Sequence, residues 1–181
     1  MKELALHILD IAENSIRAEA TEIKITIVED VVLDVLEITI EDNGAGMDNE
    51  FLDRVLDPFI TTRTTRKVGL GLPLFKLAAQ QCNGDLIIES RKDIGTKVKA
   101  TFQHSHIDRV PLGNIVDTIV AIILADEKID IKYKHVYNSD EFFLDTVEIK
   151  EVLKGVPITN IDVILWIKSH IKEALKELVK S

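Results

Sequence analysis

Apolar residues recur along the first hundred positions with two alternating periods. Leu4, Ile8, Ile11, Ala12 and Ser15 share one side at 3.6-residue spacing, which predicts a helix over 2–18. The period then drops to two. Ile23, Ile25 and Ile27, and then Ile38 and Ile40, alternate with polar residues and predict strands over 22–29 and 34–41. The link Glu29-Asp30-Val31-Val32 has neither Gly nor Pro, which leaves its turn type open. Residues 49–56 fit a short helix that ends before Asp57-Pro58, because proline disfavours helix in its predecessor. Residues 59–68 carry no period and read as a mobile loop. A helix from Leu72 to Gln81 stops at Asn83-Gly84, and strands over 85–91 and 97–103 follow.

The character changes after His104-Ser105-His106. A helix is predicted over 113–125, then strands over 129–137 and 141–146 around Asn138-Ser139-Asp140. Asp145-Thr-Val-Glu148 has capping-box spacing and starts a short helix to Leu153. Pro157 breaks the chain, and Asn160 caps a last helix through Leu178. In it Ile161, Ile164, Leu165, Lys168, Ile171, Leu175 and Leu178 form a largely apolar stripe beside a lysine-rich face. A layer of helices over an antiparallel or mixed sheet is the natural packing for this order, so the expected class is α+β. Hairpin-like strand pairs disfavour a doubly wound parallel sheet. The expected division is a domain over 1–104 and an α/β extension over 105–181. The extension offers no second nucleophile, metal cluster or glycine loop, so packing or interaction is its expected role. Trp166 is its candidate anchor, toward either the chain's own core or a partner.

Composition narrows the function classes. The 181 residues are 46% hydrophobic, enough for a sizeable core. A net charge of −9 argues against a nucleic-acid binder. The basic cluster Arg63, Arg66 and Lys67 is either a solvated loop or a set of phosphate contacts. The longest apolar run, Ile119 to Ala125, is too short to cross a bilayer, and the acid and histidine in the first seven residues do not fit a signal peptide. One cysteine, Cys82, excludes an internal disulfide framework and fits a reducing, cytoplasmic setting. His7, His104, His106, His135 and His170 show no metal-ligand spacing.

Four segments carry candidate chemistry. Asp10 and Asn14 stand one helical turn apart at the rim of the apolar stripe, where a solvated pair is the plain alternative. Asp42-Asn43-Gly44-Ala45-Gly46-Met47 is by itself compatible with a hairpin turn. Gly69-Leu70-Gly71-Leu72 sits where a loop enters a helix, either as a structural junction or as a phosphate cradle of backbone N–H groups. Gly95-Thr96 precedes the last strand of the first region.

Together, over roughly residues 1–104, these segments resemble the ATP-binding domain shared by histidine kinases, DNA gyrase, mismatch-repair ATPases and a family of heat-shock chaperones. The resemblance implies a two-layer α/β sandwich, the Bergerat ATP-binding fold, with Mg2+ and ATP held between helices and sheet. It implies that Asn14 is a magnesium ligand and that Asp42 reads the adenine amine through a water shared with Thr96. Gly44 and Gly46 let the base approach, Asn43 is the second polar residue of the turn, and Met47 lines the adenine pocket. Gly69, Leu70, Gly71 and Leu72 would face the phosphates. Asp57-Pro-Phe-Ile-Thr-Thr looks like a histidine-kinase lid, with Thr61, Thr62 and Arg63 as contacts and Phe59 as anchor. An acid at Asp10, where histidine kinases usually carry an amide, points to water activation, although the ATPases more often use the longer Glu. The expected function is slow ATP hydrolysis coupled to a protein partner, with no nucleic acid or membrane involved and self-association left open. The rivals are a protein kinase, acting in trans on histidine or on serine like the anti-sigma factors, and an ATP-gated module without turnover. A complete histidine kinase is disfavoured because no dimerising two-helix segment precedes residue 1.

Overall fold

The computed structural model of this chain describes residues 1–57 and 70–180. The helices are α1 (Leu4–Arg17), α2 (Asn49–Val55), α3 (Gly71–Gln81), α4 (Ile115–Ala125), α5 (Thr146–Leu153) and α6 (Ile161–Lys180). The strands are β1 (Glu22–Asp30), β2 (Val35–Asp42), β3 (Asp85–Arg91), β4 (Gly95–Gln103), β5 (Asp130–Tyr137) and β6 (Asp140–Asp145). The elements expected from periodicity form, with ends moved by at most two residues. Local chemistry sets several ends: Asn114 caps α4 by accepting from Asp117 N, and Asp145 caps α5 by accepting from Val147 N. At the end of α3 the left-handed position falls to Asn83 (φ 57°), while Gly84 lets the chain lie against the Thr101 carbonyl.

The strands form one mixed sheet in the order β3-β4-β2-β1-β5-β6. Hairpins β1–β2, β3–β4 and β5–β6 are antiparallel, as is β2–β4, whereas β5 runs parallel to β1 from Glu22↔Asp130 to Glu29↔Tyr137. The segment after residue 104 therefore continues the same sheet. The open β1–β2 turn is solved by Asp34, which takes φ 57° and accepts from Gln103 Nε2, Ser105 N and Ser105 Oγ.

Alternation decides the two faces. Ile23, Ile25 and Ile27, Leu36, Ile38 and Ile40, and Val98, Ala100 and Phe102 are buried on one side, each such side chain contributing about 1.5–3 kcal/mol when it is large. The opposite side carries a charge ladder that includes Lys97–Glu41, Lys99–Glu37 and Lys132–Glu22. Exposed pairs of this kind add little stability, about 0–1 kcal/mol each, but they keep that face in water. Helices α1, α3 and α6 cover the apolar face, with α4 between α1 and α6, which makes a two-layer α+β sandwich. Among the described residues, no helix is long and apolar enough to cross a membrane.

One expectation is corrected. In α6 the buried side chains are Ile164, Ile167, Ile171 and Leu178, while Ile161 and Leu165 are exposed and Lys168 pairs with Asp117 of α4. The stripe is rotated because α4 and the sheet, not the full set of apolar residues, select which side faces inward.

Two polar groups at the core stand out, Glu29 partly buried and His7 buried. Glu29 accepts from His104 Nε2 at 2.9 Å and from His135 Nε2 at 2.8 Å, and His135 Nδ1 lies 2.7 Å from the Tyr133 hydroxyl. Burial alone would raise the Glu29 carboxyl, but the two histidine hydrogen bonds outweigh it and the net shift is downward. Burial, helped by the nearby Glu29 carboxylate, also raises the Tyr133 hydroxyl, so it stays protonated beside His135 Nδ1. In contrast, His7 of α1 stacks on Phe75 of α3 with centroids 4.7 Å apart, and its Nδ1 has no partner among the described residues.

Burial, helped by the N-terminal ammonium, pushes His7 down to about 4. Between pH 6.5 and 4 the unfolded chain takes up a proton that the folded chain refuses, so this residue costs stability as pH falls through that window. The slope approaches about 1.4 kcal/mol per pH unit at most. His7→Phe should keep the stack and remove this component. Urea denaturation at pH 7, 5.5 and 4.5 should show a smaller acid loss in the variant than in the parent chain; equal losses would clear His7.

Candidate functional site

The C-terminal half of α1 meets the end of β2 through one short hydrogen bond. Ser15 lies on the buried stripe with Ile8, Ile11 and Ala12, and its hydroxyl stands 2.6 Å from Asp42 Oδ2 and 3.2 Å from the Ile11 carbonyl. A hydroxyl has one proton, and the charged, closer acceptor takes it. The other carboxylate oxygen, Oδ1, accepts from Gly44 N at 2.9 Å. Both oxygens are thus anchored, yet each retains a lone pair for a further donor. Directly across the β2–β4 ladder from Asp42 sits Thr96.

The loop from Asp42 to Met47 is clamped on two sides. Ala45 N donates to the Ala18 carbonyl at 2.8 Å, and Asp93 N donates to the Ala45 carbonyl at 2.7 Å. A Cβ at Gly44 would stand 2.8 Å from the Ala18 carbonyl oxygen. Gly46 has φ +64°, and a Cβ there would overlap the Arg91 carbonyl. Asn43 spends its side chain on the α1–β1 turn: Oδ1 accepts from Thr21 N and Glu22 N, and Nδ2 donates to Thr21 Oγ1. Met47 is half-buried against the core, and its N–H donates to Ser90 Oγ at 2.8 Å. Ser90 donates to the Gly95 carbonyl at 3.1 Å, so in the 2.8 Å contact between Ser90 and Thr96 the proton comes from Thr96. Thr96 keeps its own acceptor capacity beside Asp42.

Asp10 and Asn14 occupy the rim of α1, half-buried. The amide oxygen of Asn14 accepts from Arg17 Nη2 at 2.6 Å. Asp10 faces the start of α3, where a Cβ at Gly71 would overlap its Oδ2. Leu70, the residue ahead of α3, supplies no side-chain cap, Leu72 is buried, and Pro73 in the first turn has no N–H. The acid therefore sits by the positive end of a helix whose first N–H groups gain no bond from the capping side chain. Thr61, Thr62, Arg63 and Gly69, like Phe59, lie outside the described residues.

Asp42, Gly44, Gly46, Met47 and Thr96 converge on one end of the central strands, with Asn14 and Asp10 along the helix above. Sequence reading missed three residues here. In the sequence Ser15 reads only as part of the helix stripe, and a serine on that stripe one place after Asn14 is the available signal. Arg17, three residues beyond Asn14, was within helical reach. Ser90 had no signal in the sequence.

The family described as "Histidine kinase-, DNA gyrase B-, and HSP90-like ATPase" matches residues 2–106, which contain this whole cluster. Among curated proteins, the chain is 31% identical over 97 residues to a "Putative sensor protein" of Shewanella frigidimarina, covering 52% of this chain and 15% of that protein. It is 32% identical over 95 residues to "Histidine protein kinase DivJ" of Caulobacter vibrioides, covering 50% and 16%. It is 33% identical over 94 residues to "Sporulation kinase D" of Bacillus subtilis, covering 52% and 18%. The chain spans less than a fifth of the length of each of these relatives. Among solved structures, the N terminal domain of a DNA repair protein superposes with a TM-score of 0.52 at 15% identity, over 80% of this chain and 53% of that one. That likeness is one of fold, and it extends beyond the span of the family match.

The clamped loop makes a stability prediction. Gly46→Ala combines a left-handed backbone with overlap on the Arg91 carbonyl and should cost at least about 2 kcal/mol. Gly155→Ala, with φ +95° but nothing within 4 Å, should cost about 1 kcal/mol. Chemical denaturation of the two variants should rank them in that order.

Proposed function

The chain belongs to the histidine kinase-, DNA gyrase B- and HSP90-like ATPase family, and from that premise we propose that it holds Mg–ATP at the Asp42 cluster and hydrolyses it slowly to act on a protein partner. The observation that carries this reading is the Asp42 carboxylate, fixed by Ser15 and Gly44 N and facing Thr96 across the ladder. A carboxylate held this way accepts from the exocyclic amine of adenine, which guanine does not present there. Thr96 shares a water with it, Gly44 and Gly46 leave room for the base, and Met47 lines the pocket. Asn43 supports the site through the turn it pins.

Asn14 suits Mg2+ because its amide oxygen already draws a cation, the Arg17 guanidinium. Bound Mg2+ would supply charge neutralisation on the phosphate oxygens. Arg17, displaced from Asn14, is then free to turn toward the same anionic groups. The N–H groups at Gly71 and Leu72, with Leu70 before them, receive the phosphates. By the same resemblance Gly69 would face the phosphates with Gly71, and Thr61, Thr62 and Arg63 would contact them from the lid. Asp10 orients or deprotonates the attacking water; the missing Cβ at Gly71 lets the phosphate-binding end of α3 approach its short side chain. A second reading, phosphoryl transfer to a protein, is favoured by the names of two relatives, a histidine protein kinase and a sporulation kinase.

Calorimetry with ATP, with and without Mg2+, tests the binding half. Asp42→Asn loses a charge-assisted bond of about 1.5–3 kcal/mol and should weaken both forms roughly 10- to 100-fold. Asn14→Ala should weaken Mg–ATP far more than metal-free ATP. Unchanged affinity in Asp42→Asn would remove the adenine assignment, and equal losses in Asn14→Ala would make Asn14 structural.

Turnover is tested with ATP labelled in the γ-phosphate, for the chain alone and with cell extract. The hydrolysis reading expects free phosphate, reduced about 10²-fold in Asp10→Asn with binding preserved. Label on a protein would support the kinase reading, and neither product would leave an ATP-gated module without turnover.

A further inference from the structure

A groove between α5 and α6 lies apart from every residue assigned to the nucleotide site. It has a volume of about 420 Å³ and is walled by Ile149, Val152 and Leu153 from α5 and by Val163 and Trp166 from α6. Val152 is 79% exposed and Trp166 54% exposed, on the side of α6 away from its buried Ile164, Ile167 and Ile171. Trp166 nonetheless has a ring partner. Its ring stacks on His170 at 4.9 Å and 7°, and His170 meets the half-buried Phe142 edge-on at 5.6 Å. A half-exposed aromatic with a stacking partner loses less conformational freedom on docking than an unpartnered one, which suits a binding anchor.

The walls restrict what fits. They are apolar apart from the carboxylates of Glu148 and Asp162, so a small polar metabolite would lose most of its hydration against Ile149, Val152, Leu153 and Val163 without replacement. Both walls are helices and neither is a strand edge, so an extended peptide would find no ladder to satisfy its own N–H and C=O groups. A helix satisfies its own backbone and presents apolar side chains three and four residues apart. Charge then selects among helices. Glu148 and Asp162 stand at the groove without a cation partner among the described residues, whereas neighbouring Lys150 and Lys168 are committed to Asp130 and Asp117. The chain as a whole carries −9.

We propose that the α5–α6 groove is a docking site for a cationic amphipathic helix of a partner protein, with apolar side chains seated against Trp166 and Val152 and lysine or arginine opposite Glu148 and Asp162. The site is independent of the nucleotide reading and does not need it to be right.

Trp166 is the only tryptophan in the chain, so its emission reports directly on the groove. The probe is an 18-residue fluorescein-labelled peptide of leucine and lysine, with leucines at helical spacing, added to the full chain. The control replaces every lysine with glutamate. The leucine–lysine peptide should bind saturably, raise anisotropy and shift Trp166 emission to the blue, and the control should not. Val152→Glu, with its fold checked by circular dichroism, should weaken binding at least tenfold even though it adds an acid that general charge attraction would reward. Glu148→Lys with Asp162→Lys should shift preference toward the glutamate peptide. Absence of saturable binding, binding indifferent to Val152→Glu, or a preference unmoved by the charge reversal would overturn the proposal. So would a concentration-dependent dimer that Val152→Glu dissolves in sedimentation, because the occupant would then be a second copy.

Discussion

Helix α1 must press Leu4, Ile8, Ile11 and Ala12 onto the apolar face of the sheet, and the site follows from that single packing requirement. Burial of the three large side chains, about 1.5–3 kcal/mol each, fixes the helix in rotation and translation. Once its rotation is set, Ser15 on the buried stripe can only point at the end of β2, where it meets Asp42. Asp10 and Asn14, one turn apart at the stripe's edge, are carried to the rim above the same strand ends. Apolar burial therefore decides where the polar groups stand, and one charged hydrogen bond decides how the Asp42 carboxylate is turned.

A second layer of constraint comes from close backbone approach. Gly44, Gly46 and Gly95 each lie where an added Cβ would crowd or overlap a main-chain carbonyl: that of Ala18, Arg91 or Asp42. This draws the α1–β1 turn, the β2–α2 loop and the β3–β4 turn into one cluster held by Ala45 and Asp93 hydrogen bonds. Ser90 then links Met47 to Thr96 inside it. Gly71 does the same for the second wall of the site by admitting Asp10 against the start of α3. The site is accordingly a property of several turns packed together, and its rigidity depends on residues that carry no functional group.

The C-terminal segment extends this framework through the sheet. Parallel pairing of β5 with β1 needs a long crossover, and the connection through α4 supplies it while filling the space between α1 and α6. The Glu29 cluster, joining His104 after β4 to His135 on β5, ties the end of the first region to the added strands. With the inner face of α6 used for packing, its Trp166 side is left over, and together with α5 it forms an apolar surface that the fold itself does not consume.

Much of this architecture was legible in the amino-acid sequence, because the signals were local. Period-two and period-3.6 runs placed the strands and helices, Asp145 and Asn83 marked helix ends, and the segments at Asp10–Asn14, Asp42–Met47, Gly69–Leu72 and Gly95–Thr96 pointed to the family that the comparison then matched over residues 2–106. Sequence could not supply the phase of α6, because its apolar residues fit more than one stripe and only its neighbours choose between Leu165 and Ile167. It could not place β5 beside β1, since strand pairing depends on a crossover rather than on either strand's own pattern. Nor could it show that Ser15 holds Asp42, or that Ser90 holds Met47 and Thr96. Those partners lie 27 and 43 residues apart along the chain for Ser15–Asp42 and Met47–Ser90. Periodicity says which side of an element is apolar; what polar group meets it is settled only when another element, distant in sequence, is packed against that side.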